Sequence, residues 1–174
     1  MERKSIDIGE FRYNNLGLFN EWLLLTAGDF KRNEFNSMTI SWGSVGVMWG
    51  HPMVQVVVRP TRHTYNYIQK DDTFTVCAFP AQYRNALSIL GSKSGRDCNK
   101  IAEAEITPVA SQVVGAPCFK EAQLVIECKK MYWHDFDPSH FIADFIAPLY
   151  SNDYHRSYFG EIMAIYGTDT YVRN

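Results

Sequence analysis

Two segments of the chain combine residue types that bind polar ligands. In the first, residues 36–42 (NSMTISW), short polar side chains alternate with apolar ones. Successive side chains of a strand point to opposite faces, so Ser37, Thr39 and Ser41 are expected to place three hydroxyls on one surface. Hydroxyls and backbone groups together can hydrogen-bond the polar edge of a flat heterocycle. An edge strand whose hydroxyls face water explains the same pattern equally well.

The second segment, residues 56–64 (VVVRPTRHT), joins a β-branched run to an expected helix start. A helix N-terminus presents unpaired N–H groups and partial positive charge, and arginine binds phosphate through two parallel hydrogen bonds. Arg59 and Arg62, beside Thr61 and Thr64, therefore form a candidate phosphate site. The alternative is a solvated turn with both arginines in water. Considered alone, the segment favours this alternative over a phosphate site.

A third segment, residues 91–100 (GSKSGRDCNK), is a basic, hydroxylated loop. Such a loop can fold over a bound anion, although exposed loops of this composition are also common. It lacks the GxxxxGK[ST] spacing, which excludes the phosphate loop of nucleoside triphosphatases.

The cysteines and histidines indicate neither a metal site nor a catalytic triad. The four cysteines have no CxxC spacing and no histidine at a ligand-like offset, so metal binding is not expected. Among the histidines, only His155 lies in a segment, residues 152–161 (NDYHRSYFGE), that suggests the rim of a site. A hydrogen-bonded loop histidine is the favoured alternative, because a titratable group needs a partner before it has a role. No residue is assigned a catalytic role.

Strand-type patterns dominate the rest of the chain and define the elements that must position these segments. Alternating or β-branched runs predict strands at residues 35–42, 52–58, 72–79, 119–131 and 158–166. Helices are predicted at residues 61–69, from a threonine cap, and at residues 82–90, ended by Gly91. Two helices are too few for a parallel sheet, in which each crossover normally needs one. The pattern therefore predicts an all-β fold, an antiparallel barrel with peripheral helices.

Length and composition predict one folded domain over residues 1–174. A net charge of −2 with interspersed signs leaves no basic surface for nucleic acid or an anionic membrane, so neither partner is expected. No apolar run approaches the roughly 20 residues that span a bilayer. The first ten residues lack the apolar segment of a signal peptide, and a cytoplasmic location is therefore expected.

Five segments follow one another in a characteristic order: FNSMTISWG (35–43), VGVMWGHP (45–52), VVVRPTRHT (56–64), FTVCAFP (74–80) and SGRDCNK (94–100). In this order the sequence resembles the flavin reductase-like, FMN-binding split-barrel family, and within it the flavoredoxin branch. The resemblance is close over residues 36–100 and looser through YHRSYFGEI (154–162). It is specific as a set of segments and weak for each segment alone.

The resemblance implies a six-stranded antiparallel split barrel of Greek-key type that forms a homodimer and binds FMN noncovalently. It implies that the isoalloxazine lies along Asn36, Ser37, Met38, Thr39, Ser41 and Trp42. By the same resemblance the phosphate end is held by Arg59, Thr61, Arg62 and Thr64, with Ser92 and Lys100 close by. Substrate contacts are expected from His155, Tyr158 and Glu161.

The implied activity is that of an FMN-dependent oxidoreductase, an NAD(P)H:flavin oxidoreductase in type. Electrons would come from NADH or NADPH and leave to a second flavin, an iron complex or a redox protein. Flavin reductases that use a nicotinamide often carry Gly-Asp-His near the last strand, where this chain has Gly160-Glu161-Ile162. Without that histidine, an electron carrier with little NAD(P)H activity stays open, as does a split-barrel ligand sensor without redox activity.

Overall fold

The computed structural model describes residues 2–19 and 21–173. The strands in those residues are β1 (Lys4–Ser5), β2 (Leu23–Asp29), β3 (Glu34–Ile40), β4 (Gly43–Met48), β5 (His51–Val58), β6 (Thr73–Ala78), β7 (Pro108–Val109), β8 (Cys118–Phe119), β9 (Leu124–Asp135) and β10 (Arg156–Gly167). The α-helices there are α1 (His63–Lys70), α2 (Arg84–Ser92) and α3 (Lys100–Glu103). No helix in these residues is long and apolar enough to cross a bilayer.

Most of the predicted elements are confirmed within a few residues. The predicted strands at 35–42, 52–58, 72–79 and 158–166 correspond to β3, β5, β6 and β10, and the predicted helices to α1 and α2. The remaining predicted strand, residues 119–131, is wrong at its start, because Phe119 ends β8 and β9 begins only at Leu124. The expected threonine cap of α1 is also wrong, since its N-cap is Arg62, which makes no side-chain cap hydrogen bond.

Eight strands form one antiparallel sheet in the order β3-β2-β6-β9-β10-β5-β4, with β1 paired to β10. Strands β6, β9 and β10 are successive neighbours, and β5, which precedes β6 in the chain, lies beside β10. This is a Greek-key connection. The mostly antiparallel β fold with few helices is confirmed, whereas the expected count of six strands is not.

The two edges of the sheet meet at one corner. Strands β3 and β4 lie at opposite edges, yet only Ser41 and Trp42 connect them. Three Cα steps span at most about 11 Å, so the sheet must curl until its edges come together. The corner at Ser41 and Trp42 is therefore where the barrel closes without a ladder of hydrogen bonds.

Apolar side chains pack on both faces of the curled sheet. Inside the barrel, side chains such as Leu25, Val56 and Phe74 pack together with Ile68 of α1. Outside it, Leu24 and Val125 pack under Leu87 and Leu90 of α2 in a second cluster. Strands covered on both faces hold α1 and α2 rigidly, and the loops that carry the candidate site begin at the ends of these two helices.

Candidate functional site

Cavity A, about 360 Å³, lies between the start of α1 and the loop after α2. The chain enters α1 from β5 through the turn at Arg59, Pro60 and Thr61, where Arg62 N donates to Arg59 O at 3.0 Å. Proline cannot extend the ladder of β5, which fixes the place where the strand gives way to the helix. The cavity is lined by Thr61, Arg62, His63, Thr64, Ser92, Lys93, Ser94, Arg96, Asp97 and Lys100.

Lys100 is the most unusual residue of cavity A, because its side chain is charged and the residue is only 3% exposed. Its Nζ donates to Leu90 O at 2.9 Å and to Lys93 O at 3.1 Å, the carbonyl groups at the end of α2. Burial, with a smaller contribution from Arg62, lowers the pKa of Lys100 to about 8. Among the described residues no carboxylate lies within ion-pair distance of Nζ. A bound anion would supply the missing negative charge.

Two further cations, Arg62 and Arg96, make cavity A electropositive, and an uncharged histidine lies beside them. Arg62 is half-buried and donates from Nη2 to Gly91 O at 2.7 Å; burial and then the neighbouring Arg59 lower its pKa. Arg96 donates from Nη1 to Thr61 O at 3.0 Å. In residues 2–19 and 21–173, His63 Nδ1 is one of the buried side-chain atoms without a hydrogen-bond partner, and burial lowers the pKa of this histidine.

Cavity B, about 250 Å³, lies at the corner where the sheet closes. The rings of Trp42 and His155 are 5.0 Å apart between centroids and form part of its wall. His155 is buried, its Nδ1 shares a hydrogen bond of 2.8 Å with Tyr150 Oη, and burial followed by Arg59 lowers its pKa to about 4. The imidazole is therefore neutral at pH 7. The cavity is lined by Met38, Thr39, Ile40, Ser41, Trp42, Val57, Arg59 and His155.

The two cavities adjoin across Gly91. Arg62 of cavity A bonds the Gly91 carbonyl, and a Cβ on Gly91 would lie 3.2 Å from Cβ of Thr39, which lines cavity B. An elongated ligand with an anionic end and a flat end can therefore occupy both cavities. Together they fall in the range of roughly 300–1,000 Å³ that is typical of small-molecule sites.

Arg59 and Arg62 line different cavities. Arg59 lines cavity B and not cavity A, and its Nη1 donates to Asp153 Oδ2 at 2.7 Å. Its Nη2 donates to Leu149 O at 2.8 Å, and its guanidinium lies 4.9 Å from the centre of the Tyr150 ring. These contacts tie Arg59 to the β9–β10 loop. Arg62 lines cavity A, whereas Arg59 holds that loop at the rim of cavity B.

The row of three hydroxyls on β3 is only partly available to a ligand. Ser37 is fully buried and shares a hydrogen bond of 2.8 Å with Thr26, and Thr39 Oγ1 donates to Leu87 O at 2.5 Å. Of the row, Ser41 and Thr39 line cavity B. Asn36 donates from Nδ2 to Thr64 Oγ1 at 2.7 Å and lines a neighbouring cavity.

The remaining expected residues divide into two groups. Thr61, Thr64, Ser92 and Lys100 line cavity A, with Ser92 Oγ donating to Ser88 O at 2.8 Å. Tyr158 is fully buried in the barrel and its hydroxyl accepts from Gln69 at 2.8 Å; Glu161 pairs with His51 at 2.7 Å. Neither Tyr158 nor Glu161 lines cavity A or B, so the structure does not bring them to the site.

Sequence reasoning assigned no ligand contact to His63, Arg96, Val57 or Tyr150. Arg96 lies in the basic loop that was expected to cover an anion, so its composition carried a signal. His63 follows Arg62 at the helix start, but no sequence pattern distinguished it from the other histidines. The contact of Tyr150 with His155 depends on how the β9–β10 loop folds back, which no local pattern predicts.

Residues 20–168 match the model of the flavin reductase like domain. The chain belongs to the flavin reductase-like family. No curated protein matches it significantly. In residues 2–19 and 21–173, no group of three or more His, Cys, Asp or Glu side chains is placed to hold a metal ion.

Solved structures of the same fold include several flavin-related proteins. Flavoredoxin from Methanosarcina acetivorans is 23% identical with a TM-score of 0.68, over 99% of this chain and 78% of that one. An FMN-binding domain of a flavin reductase-like enzyme from Shewanella baltica is 14% identical with a TM-score of 0.68, over 95% and 77%. An FMN-binding protein from Thermus thermophilus is 18% identical with a TM-score of 0.67, over 94% and 78%.

At these identities the likeness establishes the fold. The family, and the FMN-binding proteins among its structural neighbours, support FMN as the cofactor expected from the sequence. The chain's own residues fit that group, because cavity A carries a buried cation without a carboxylate partner and cavity B adjoins it with aromatic and polar walls.

Proposed function

We propose that this chain binds FMN, with the phosphate in cavity A and the isoalloxazine in cavity B, and that it acts as an FMN-dependent oxidoreductase. The observation that carries the proposal is the buried Lys100, whose pKa is lowered chiefly by burial and whose Nζ has no carboxylate within ion-pair distance among the described residues. A charge in that state gains more from a phosphate than an exposed lysine does, because water no longer screens it.

Arg62, Lys100 and the first N–H groups of α1 bind the phosphate, and Arg96 adds positive charge at the outer side. Charge-assisted hydrogen bonds of this kind are about twice as strong as neutral ones. In cavity B, Trp42 and the neutral His155 shield one side of the ring from water, while Ser41 and nearby backbone groups orient its polar edge. FMN, when bound, supplies the redox chemistry, and these residues supply position and access.

NADH or NADPH is the proposed electron donor, and a second flavin, an iron complex or a redox protein is the proposed acceptor. The segment Gly160-Glu161-Ile162 favours a second candidate, an FMN-binding electron carrier. Glu161 is paired with His51, and Ile162 packs against the barrel core. Neither side chain is placed to contact a nicotinamide at cavity B.

A homodimer is part of the proposal, because several large apolar side chains are exposed on the β4–β5 hairpin and in the β9–β10 loop. Val47 is 70% exposed at the end of β4, and Ile142 is 96% exposed in the β9–β10 loop. Trp49, Phe145 and Leu149 are exposed as well. Large exposed apolar side chains of this kind are typical of an interface when they cluster. The cytoplasmic location and the single domain over residues 1–174 stay predictions.

The cofactor proposal is tested by titrating the flavin-free protein with FMN. Arg62→Ala and Lys100→Met should each weaken FMN binding by about 1.5–3 kcal/mol, the value of one charged hydrogen bond. Riboflavin lacks the phosphate and serves as the internal control, since its affinity should hardly differ between parent and variants. Circular dichroism confirms that each variant is folded. Equal losses for FMN and riboflavin would place the phosphate outside cavity A.

The oxidoreductase proposal is tested by adding NADH or NADPH to the FMN-loaded protein without oxygen. An enzyme bleaches the flavin absorbance within a turnover time, whereas the electron carrier stays yellow until dithionite is added. A protein that binds no flavin would support the third interpretation, a ligand sensor of the same fold.

A further inference from the structure

Three aromatic side chains lie in contact at the rim of cavity B. The rings of Trp42 and His155 are 5.0 Å apart between centroids and tilted by 45°. The Tyr150 ring meets His155 edge to face at 5.5 Å, and Tyr150 Oη is 2.8 Å from His155 Nδ1. Trp42 and His155 line cavity B, whereas Tyr150 does not. The imidazole therefore links a tyrosine outside the cavity to an indole in its wall.

The hydrogen bond between Tyr150 and His155 suits proton transfer. His155 is buried, and burial followed by Arg59 lowers its pKa to about 4, so the ring is neutral at pH 7. A neutral imidazole has one nitrogen that accepts a hydrogen bond. In the part of the chain that the structure describes, Nδ1 is the only group bonded to the Tyr150 hydroxyl, which makes Nδ1 the acceptor for the hydroxyl proton. A phenol that has lost an electron is a strong acid, so even a weakly basic imidazole takes up its proton.

The surroundings of His155 favour Tyr150 as an electron donor. His155 also contacts the Phe136 ring at 6.1 Å, but phenylalanine is much harder to oxidise than tyrosine. The Arg59 guanidinium lies 4.9 Å from the centre of the Tyr150 ring, and its pairing with Asp153 at 2.7 Å holds it there. The phenol is thus fixed against the imidazole, and the positive charge of Arg59 opposes a lasting charge on His155.

We propose that Tyr150 and His155 restore Trp42 when photoexcited FMN oxidises it. The excited flavin takes one electron from the Trp42 indole. Tyr150 then gives one electron to Trp42 and its hydroxyl proton to His155 Nδ1. When the electron returns from the flavin to Tyr150, the proton returns from His155, so no reagent is consumed and the light energy leaves as heat. The inference rests on the proposed function, since it takes the isoalloxazine to lie in cavity B.

The relay protects the wall of cavity B from light. An indole that stays oxidised reacts with oxygen and water, and Trp42 is 44% exposed, so both reagents can reach it. The tyrosine that replaces it as the oxidised group lies outside the cavity and keeps its proton within a hydrogen bond. Transfer to Tyr150 therefore shortens the time for which the indole is reactive.

Flash excitation of the FMN-loaded protein with blue light tests the relay. Transient absorption should show a tryptophan radical first and a tyrosyl radical after it, and the second step should be slower in heavy water because a proton moves. Tyr150→Phe removes the donor and should abolish the tyrosyl signal. His155→Gln accepts a hydrogen bond but not a proton, and should abolish it too. Tyr154→Phe is the matched control, since Tyr154 contacts the Tyr150 ring at 5.2 Å but its hydroxyl bonds Asn152.

Continuous illumination in air gives a second readout, the oxidation of Trp42 measured by peptide mass spectrometry. At equal FMN occupancy, Tyr150→Phe and His155→Gln should accumulate oxidised Trp42 faster than the parent and Tyr154→Phe. A tyrosyl signal that survives Tyr150→Phe, an FMN-loaded parent without any tryptophan radical, or equal Trp42 oxidation in all four proteins would overturn the inference. Failure of the parent to bind FMN would instead contradict the proposed function.

Discussion

Lys100 shows how a single buried cation couples this site to pH. Its pKa is about 8 in the folded protein against an ordinary value of 10.5. Between these two values the unfolded chain binds more protons than the folded one, so the contribution of Lys100 to stability increases as pH rises. Below about pH 8 the charged lysine destabilises the ligand-free fold by a constant amount. A phosphate in cavity A would remove that cost.

FMN affinity should therefore decline in alkaline solution. Below about pH 8 Lys100 is charged with or without ligand, and affinity does not depend on its titration. Above it, binding requires proton uptake, and the Kd for FMN should rise up to tenfold per pH unit until the higher pKa of the complex is reached. Fluorescence titrations from pH 7 to 9.5 measure this. Riboflavin in the parent and FMN in Lys100→Met should give flat profiles; a flat profile for FMN in the parent would contradict the role of Lys100.

Trp42 should control the emission of the bound flavin. It lines cavity B, is 44% exposed and contacts the His155 ring at a tilted angle, so truncation leaves the core intact. Trp42→Ala should weaken flavin binding by about 0.5–1.5 kcal/mol and raise flavin fluorescence, because an adjacent indole commonly quenches it. Trp133→Ala is the control, since Trp133 is also half-exposed but lines neither cavity. Equal emission from both variants would place the ring away from Trp42.

The residue types of the site were predictable from the sequence, but their partners were not. Arg62 and Lys100 lie in cavity A as expected, whereas Arg59 is drawn to Asp153, which is 94 residues away in the chain. Thr39 was expected to face a ligand, yet its hydroxyl bonds a carbonyl of α2. Both outcomes depend on long-range packing, and local spacing carries no information about it.

At the scale of elements, prolines and alternating patterns predicted strands β5 and β6 correctly. Strand β2 was not predicted from the sequence. Its residues LLLTAG are buried on both faces between β3 and β6, so they show no alternation. The β4–β5 hairpin was not predicted either, for another reason. Its turn holds Trp49 and Gly50 at positive φ. A tryptophan in a sequence does not indicate that conformation, because non-glycine residues rarely adopt it.

Strand β10 requires a glycine at position 160 for packing alone. A Cβ there would lie 2.4 Å from Cζ of the buried Phe74 and 2.9 Å from Cβ of Cys128. Gly160→Ala should lower the free energy of unfolding by about 1–3 kcal/mol, the usual cost of overpacking a core. Packing alone accounts for Gly160. The glycine that this chain shares with the Gly-Asp-His motif therefore does not by itself indicate nicotinamide binding.

Urea unfolding measures this cost. Phe74→Leu should be less damaging in the Gly160→Ala background than in the parent, because it removes the clashing atoms. Gly46→Ala is the control, since its new Cβ meets Met53 only at 3.6 Å and should change stability by no more than about 0.5 kcal/mol. Additive effects of the Gly160 and Phe74 changes would rule out the clash.

At the scale of the whole molecule, the exposed apolar side chains of the β4–β5 hairpin and the β9–β10 loop, Val47 and Ile142 among them, should be buried against a second copy. An obligate interface covers on the order of 2,000 Å² or more. Light scattering should give about twice the 20.0 kDa of one chain. The double change Val47→Asp and Ile142→Asp should yield monomers, because it places two charges in an apolar interface. Val113→Asp, also at an exposed position, is the control. A parent protein that is monomeric with FMN bound would contradict the dimer.

The wall of cavity B comes from two parts of the chain that the ribosome synthesises at different times. Its wall includes Met38 and Trp42 near the start of the chain and His155 near the end, and Trp42 and His155 are in ring contact. During synthesis on the ribosome, the early strands emerge long before the segment that completes this wall. A nascent chain shorter than 155 residues therefore lacks part of this wall. If FMN binds in cavity B as proposed, its insertion must follow the pairing of β10 with β5 and β9 and is a late event in maturation.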